Sequence, residues 1–242
     1  MTISLTTITF YKIYQNLIFQ KPFHYTRFGD GDLMIMHGKD EKFHDASEDL
    51  TRELIESFLI EDPKYLKALS GNYENEEHMS KGVFAPFDNK SELEDMAFAL
   101  NPERTQYENP IALHYFYCFE YPLFHRMMLK YIKPAKKMFI GCVDKEVAET
   151  LFGKIDIYVR TAPYNSYKDI DSWYLQVLDG MHDVDLILPC TGISTRVVQK
   201  RIYEAGFKGS SIDFGSIIDS FAGFPTRKWI KKLGLHENRR EG

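Results

Sequence analysis

Apolar positions along this chain follow two periods. Phe10, Ile13, Tyr14, Leu17 and Ile18 recur at helical spacing and predict a first amphipathic helix, which Pro22 ends. Residues 23–28 read as a short strand running into a Gly29-Asp30-Gly31-Asp32 turn. A second helix is expected to start at Asp45 or Ser47, both good N-caps. It buries Leu50, Leu54, Ile55, Phe58 and Leu59, and Pro63 follows it. Across 70–110 the pattern breaks at Gly71, Gly82, Pro86, Pro102 and Pro110, with helical spacing only around 91–100. That stretch predicts an irregular helical lobe or lid. A helix over 121–131 follows.

The second half alternates between the two periods. Strands are predicted at 137–142, 155–161, 185–189 and 211–214, with helices at 144–152, 172–180 and 194–205, the last stopped by Gly206. Such alternation predicts a Rossmann-like α/β fold, a mainly parallel sheet flanked by helices, with the lobe in the middle. Open parallel sheets bind ligands at the carboxyl ends of their strands, so chemistry is expected just after each strand.

The 242 residues fit a single domain over 1–242 with a sizeable core. Hydrophobic residues make up 44% and charged residues 27%, ordinary for a globular protein, and the formal charge of -5 gives the body no overall pull toward nucleic acid or anionic membrane. The charge is uneven, because six basic and two acidic residues fall in 226–242. This basic C-terminal tail reads either as a solvated end or as a contact for an anionic acceptor, DNA included. Three cysteines without CxxC spacing argue against a disulfide framework or a zinc site and make a reducing cytoplasm the expected location. The sequence has neither a signal-like start nor an apolar run of about 18 residues, so no membrane span is expected.

Asp30 and Asp32 follow a strand end and are separated by one glycine. On an extended segment, residues i and i+2 project to the same side. Two carboxylates so placed form a hard oxygen site for Mn²⁺ or Mg²⁺. Gly29 and Gly31 let backbone approach a ligand closely, and Arg27 offers a guanidinium that grips phosphate or balances the acid pair. The alternative is a polar turn that is merely acidic. Thr191 and Gly192 follow a strand and open a helix, a place where unpaired N–H groups attract phosphate or where an ordinary cap sits. Asp144, after the 137–142 strand, reads as an N-cap. Asp213 ends the last strand and is a candidate for positioning a sugar hydroxyl, for a catalytic base or for a cap. The histidines show no metal-binding spacing; His114, among aromatics, is the candidate base.

The segment Arg27-Phe28-Gly29-Asp30-Gly31-Asp32 resembles the RFGDGE signature of the GT-D type glycosyltransferases. Phe139-Ile140-Gly141-Cys142 is similar to that family's second-half opening strand. Pro163-Tyr164-Asn165-Ser166-Tyr167 is similar to its P-x-N-A-[FY] region. Residues 186–191 and Ile212-Asp213-Phe214-Gly215 are similar to its closing strand pair. The resemblance implies a metal-dependent glycosyltransferase using a UDP-sugar donor, with Asn165 facing that donor and the metal bridging its phosphates. Asp32 stands where the family usually has Glu, and Ser216 where it often has His. The acceptor is not implied: a glycan, a protein-linked sugar and a modified DNA base all remain open.

Two rival readings accompany this one. A haloacid-dehalogenase-type phosphotransferase also places a DxD after a strand and would use Asp30 as nucleophile. That family normally has Thr or Val two residues past the second acid, where this chain has Met34, and it needs late paired acids that this chain lacks. A non-catalytic nucleotide- or nucleic-acid-binding module would use the tail and the aromatics, against the acidic charge of the body.

Overall fold

The structure, a computed structural model, describes residues 1–70, 83–84 and 90–235. Its centre is a six-stranded sheet built from β2 (His24–Phe28), β3 (Tyr65–Leu69), β5 (Lys137–Gly141), β6 (Ile157–Arg160), β7 (Leu186–Cys190) and β8 (Ser210–Ile212). The spatial order is β3-β2-β8-β7-β5-β6, and every neighbouring pair is parallel. A small parallel pair, β1 (Thr2–Ile3) and β4 (Gln106–Tyr107), adjoins its β3 edge, where Glu108 just beyond β4 bridges Ala68.

Helices cover both faces, as a parallel sheet requires. One face packs under α1 (Thr6–Ile18), with α5 (Ala112–Phe119), α6 (Tyr121–Met127), α7 (Lys145–Phe152), α10 (Ile217–Phe221) and α11 (Lys228–Lys232). Its core includes Phe10, Tyr25, Phe116, Phe139, Leu188 and Phe214. The other face carries α3 (Glu48–Leu59), α8 (Ile170–Gly180) and α9 (Ser194–Glu204), with Leu54, Ile140, Trp173, Ile187 and Val197 between helices and sheet. Each such fully buried aliphatic or aromatic side chain contributes on the order of 1.5–3 kcal/mol. The sheet's alternation with helices, read from the second half of the sequence, is therefore the fold observed.

Four local expectations change. Gly29 to Asp32 is not a turn but the start of α2 (Asp30–Met36): Gly29 is the N-cap, and the Asp32 carboxylate accepts its backbone N–H. Acids in a first helical turn also favour the helix dipole, which offsets the poor helix propensity of Gly31. Strand β3 shows no clean period because Lys67 points inward, where its ammonium meets Glu61 at 2.8 Å and the Phe58 ring. Helix α5 is buried nearly all round, so it carries no polar stripe for a periodicity to detect. The helix expected over 121–131 is α6 followed by a π-helical turn at Met128–Ile132.

Residues 71–82 and 85–89 of the expected lobe lie outside the described residues. The rest of it belongs to the body: Val83 and Phe84 join the main core, and α4 (Lys90–Leu100) buries Leu93 and Ala97. The tail is also shorter than its charge pattern suggests. Trp229 and Ile230 of α11 are in the core, and the remaining residues, 236–242, lie outside the described part.

Candidate functional site

The carboxyl ends of β2, β3, β7 and β8 deliver Gly29, Ser70, Thr191 and Asp213 to one edge of the sheet. Helices α2 and α9 begin at that edge. Between β5 and β7 the connections part, β5 leading into α7 on one face and β7 into α9 on the other. This is the arrangement that opens a crevice in doubly wound sheets.

Two guanidiniums and two carboxylates alternate along the edge. Arg27, on β2, donates from Nη2 to Asp213 Oδ1 at 3.0 Å. Asp213 Oδ2 faces Arg196 Nη1 at 3.4 Å, and Arg196 Nε lies 3.0 Å from Asp32 Oδ1. Asp32 Oδ2 ends the row by accepting the Gly29 N–H at 2.8 Å. Asp32 and Asp213 are only 2% and 1% exposed. The Arg196–Asp32 contact is close but misaligned: Asp32 Oδ1, Arg196 Nε, Asp213 Oδ2 and Arg27 Nε all lack a hydrogen bond. Buried polar atoms are rarely left so; here Asp32 Oδ1 and Asp213 Oδ2 keep only their ion pairs with Arg196. Burial pushes the Asp32 carboxyl above the usual carboxylate range, with Asp213 and Asp30 adding to the rise and Arg196 opposing it.

Arg196 was not legible as a site residue, yet it carried a signal. It occupies the first turn of α9, where a cation opposes the helix dipole. Such a residue is expected to answer to acids elsewhere, here Asp32 and Asp213.

His114 lies under the row. Arg27 Nη1 approaches its Nδ1 at 3.3 Å, and its Nε2 lies 3.4 Å from Ser216 Oγ. Arginine has no acceptor, so Nδ1 accepts and Nε2 carries the hydrogen toward Ser216. Burial, then the charges of Arg27 and Arg227, holds the ring's pKa well below the ordinary histidine value, so it stays neutral. Both nitrogens are engaged and the ring is edge-on to Trp229; His114 is disposed to position Arg27 rather than to take a proton. Gly215 makes the arrangement sterically feasible. It sits at φ +52°, and a Cβ there would overlap the Arg27 guanidinium.

The turn after β7 is shaped from inside. The Thr191 N–H and hydroxyl both go to Thr195 Oγ1, at 3.1 and 3.2 Å, so Thr191 is not itself an open donor. Gly192, at φ +66°, is exposed, Ile193 and Ser194 behind it are buried, and the N–H groups of all three have no acceptor among the described residues. They form the anion-attracting start of α9. Beneath them is a buried network that sequence reasoning missed: His44 contacts Glu41 Oε1 at 2.9 Å and the hydroxyls of Ser166 and Ser194 at 3.3 and 3.4 Å. Ser166 also donates to the Thr191 carbonyl. Asn165, expected to face a donor, grips Asp45: Oδ1 accepts the Asp45 N–H at 2.6 Å, and Nδ2 donates to its carboxylate at 2.9 Å.

Asp30 and Asp32 do not share a face as they would on an extended segment. On a helix, positions i and i+2 diverge by about 200°, and here Asp30 is exposed while Asp32 is buried. Among the described residues no three His, Cys, Asp or Glu side chains form a cage for a metal ion. The donor chemistry still fits a hard cation. The Asp30 carboxylate is exposed, and Asp32 Oδ1, near enough to feel the Asp30 charge, has no hydrogen bond among the described residues, although Arg196 Nε faces it at 3.0 Å. Such a cation would take its remaining ligands from water and phosphate, as Mg²⁺ commonly does.

Neither a protein-family model nor a curated protein matches this sequence. Solved structures do match in shape. A protein described as a new glycosyltransferase of the DUF1792 type from Streptococcus sanguinis is 14% identical, with a TM-score of 0.71 over 92% of this chain and 83% of that one. A DUF1792 structure described as having a distinct glycosyltransferase fold is 19% identical, with a TM-score of 0.64 over 92% of this chain and 80% of that one. A third, a selenomethionine DUF1792 structure, is 18% identical with a TM-score of 0.66. The chain therefore has the fold of these proteins, a mainly parallel α/β sheet flanked by helices, over nearly its whole length.

Proposed function

We propose that this protein is a glycosyltransferase that takes its sugar from a UDP-sugar and uses Mn²⁺ or Mg²⁺. The observation that carries the reading is the row of two guanidiniums, 15% and 11% exposed, beside the exposed Gly192 turn at the start of α9, all on the ligand-binding edge of a glycosyltransferase-type sheet. The leaving group of such a reaction is a nucleoside diphosphate, which gains negative charge as the glycosidic bond breaks. Arg27 and Arg196 are the cations to receive it, and the Gly192 turn supplies backbone donors. Asp213 holds both guanidiniums apart and in register, and His114 fixes Arg27 from below. Asp30 and Asp32 would hold the metal, which supplies Lewis-acid stabilisation of the diphosphate when bound. The acceptor class, whether a glycan, a protein-linked sugar or a DNA base, stays outside this assignment.

The dehalogenase-type alternative needs the second acid free to exchange a proton with the leaving group. Asp32 is instead buried against Arg196 and the Gly29 N–H. The two readings separate in a thermal-shift assay. UDP with Mn²⁺ should stabilise the protein by about 2–3 kcal/mol at a hundredfold excess over its dissociation constant. Beryllium fluoride with Mg²⁺, a mimic of an aspartyl-phosphate, should leave it unchanged. The reverse pattern would replace sugar transfer with phosphoryl transfer.

A further inference from the structure

Tyr164 is a large aromatic side chain left 61% exposed beside this site. Its ring stacks on Phe43, with centroids 5.7 Å apart and planes 28° from parallel. Phe43 has a second partner in the Lys42 ammonium, 4.8 Å from its centroid. Tyr164 thus has one face backed by protein and the other turned to solvent.

The pair is held rigidly. The Asn165 N–H donates to the Phe43 carbonyl at 2.8 Å, and the Asn165 carboxamide clamps Asp45 at both ends. Lys168 closes the same carboxylate at 2.6 Å. Asn165 adopts φ +50°, a left-handed conformation that a non-glycine residue keeps only when its surroundings impose it. Two loops, 41–45 and 163–168, are therefore fixed to each other by polar contacts that do not involve the Tyr164 side chain.

The same loops touch the anion-attracting turn. Ser166, two residues beyond Tyr164, donates to the Thr191 carbonyl at 3.2 Å. His44, next to Phe43, lies so close under Gly192 that a Cβ there would come within 2.7 Å of the imidazole. The exposed ring therefore belongs to loops that touch the Gly192 turn directly: Phe43 precedes His44, and Tyr164 lies two residues before Ser166. A nucleotide has the matching outline, a charged phosphate end joined through one ribose to a flat aromatic end.

We infer that the stacked Tyr164–Phe43 pair is a platform for the nucleobase of a nucleoside diphosphate whose phosphates occupy the Gly192 turn and the Arg27–Arg196 row. The inference rests on the nucleotide-donor reading and adds to it the residues that read the base. Stacking suits these loops better than a sugar subsite: Asp45, the acid held between them, is already bound by Asn165 and Lys168 and is not free for sugar hydroxyls. A preorganised ring binds a base with little ordering cost, and stacking of this kind tolerates any base because each has a π face.

The test is calorimetric titration of the full chain with UDP and, separately, with inorganic pyrophosphate, each with Mn²⁺, in the wild type and in Tyr164→Ala, Tyr164→Phe and Phe43→Ala. Tyr164→Ala should weaken UDP about tenfold or more, the span of a lost base–aromatic stack, and leave pyrophosphate unchanged. Tyr164→Phe should bind UDP like the wild type, and Phe43→Ala should fall between. Tyr164 carries no core packing, so a melting temperature equal to that of the wild type is expected and checks the fold. Equal loss for UDP and pyrophosphate, or no loss for UDP, overturns the platform. A wild type that binds pyrophosphate but no nucleoside diphosphate overturns the platform while sparing the phosphate site. A wild type that binds neither overturns the donor reading itself.

Discussion

Replacing Arg196 by Met, which keeps the stem and removes the charge, is the sharpest perturbation of the buried row. Arg196 answers two carboxylates, Asp32 at 3.0 Å and Asp213 at 3.4 Å, and neither acid is more than 3% exposed. At an effective dielectric of about 20, a unit charge pair at such a distance is worth about 5 kcal/mol. Asp213 keeps Arg27, so the main damage falls on Asp32, left with only the Gly29 N–H. Breaking a buried pair by removing one partner typically costs about 3–5 kcal/mol. For a chain of this size that corresponds to a melting temperature lower by about 10 °C. The loss should depend on pH. The folded-state pKa of Asp32 is already raised by burial, and without Arg196 it rises further. A carboxyl with a raised folded pKa binds its proton more tightly folded than unfolded, so stability falls as pH climbs from the unfolded carboxylate value through the folded one. Denaturant melts of the variant should therefore show a larger deficit at pH 8 than at pH 5. Adding Asp32→Asn should recover stability at pH 8 by removing the stranded charge. A deficit below about 1 kcal/mol, or a deficit independent of pH and untouched by Asp32→Asn, would refute the buried-row argument.

Other outcomes follow from the same geometry. Asp30→Asn and Asp32→Asn should each abolish the Mn²⁺-dependent part of stabilisation by UDP; unchanged metal dependence in both, read by thermal shift, would remove the acid pair as metal ligands. Gly215→Ala should lower UDP affinity and stability together, because its Cβ would displace the Arg27 guanidinium from Asp213; binding equal to the wild type would show that Arg27 tolerates the shift. Lys228→Gln combined with Lys231→Gln, which removes two exposed charges and spares Trp229 and Ile230, should weaken an anionic acceptor such as duplex DNA at low salt more than it weakens UDP, and the difference should shrink with added salt. Truncation after Thr226 should instead destabilise the fold, since it removes two buried side chains, a contrast that denaturant melts of the two variants would read.

The right-hand part of the sheet was legible because each of its strands is a short apolar run bracketed by helical spacing, and Gly206 marks a helix stop. Residues 137–142, 185–189 and 211–214 accordingly come within a residue or two of β5, β7 and β8. The left-hand part was less so. A buried lysine hides β3, and a glycine pair disguises the start of α2, whose helix is secured by a side-chain contact rather than by propensity. At the site, Arg27, Thr191, Gly192 and Asp213 were legible by position, since each ends or follows a strand. Arg196 and His44 were not, because their meaning depends on partners far along the chain: His44 meets Ser194 across 150 positions. The bond of Asn165 to Asp45 was hidden for the same reason, the two lying 120 positions apart.

Strand β8 is three residues long and is the last of the sheet to leave the ribosome, yet it is wedged between β2 and β7. His24 and Ser211, bonded side by side in the finished sheet, are 187 positions apart. During synthesis the β2–β3 and β5–β6–β7 parts must therefore wait, each with an open inner edge, until this short keystone arrives. Asp213 comes with it, and only then do Arg27 on one side and Arg196 on the other acquire their shared counter-ion. A nascent chain halted before residue 210 would hold most of its core but a pair of unanswered guanidiniums, so the competence to hold a diphosphate would switch on late and all at once. In the mature protein the same seam is the thinnest line across the sheet, and amide exchange should be fastest there when the site is empty and slow down when an anion spans it.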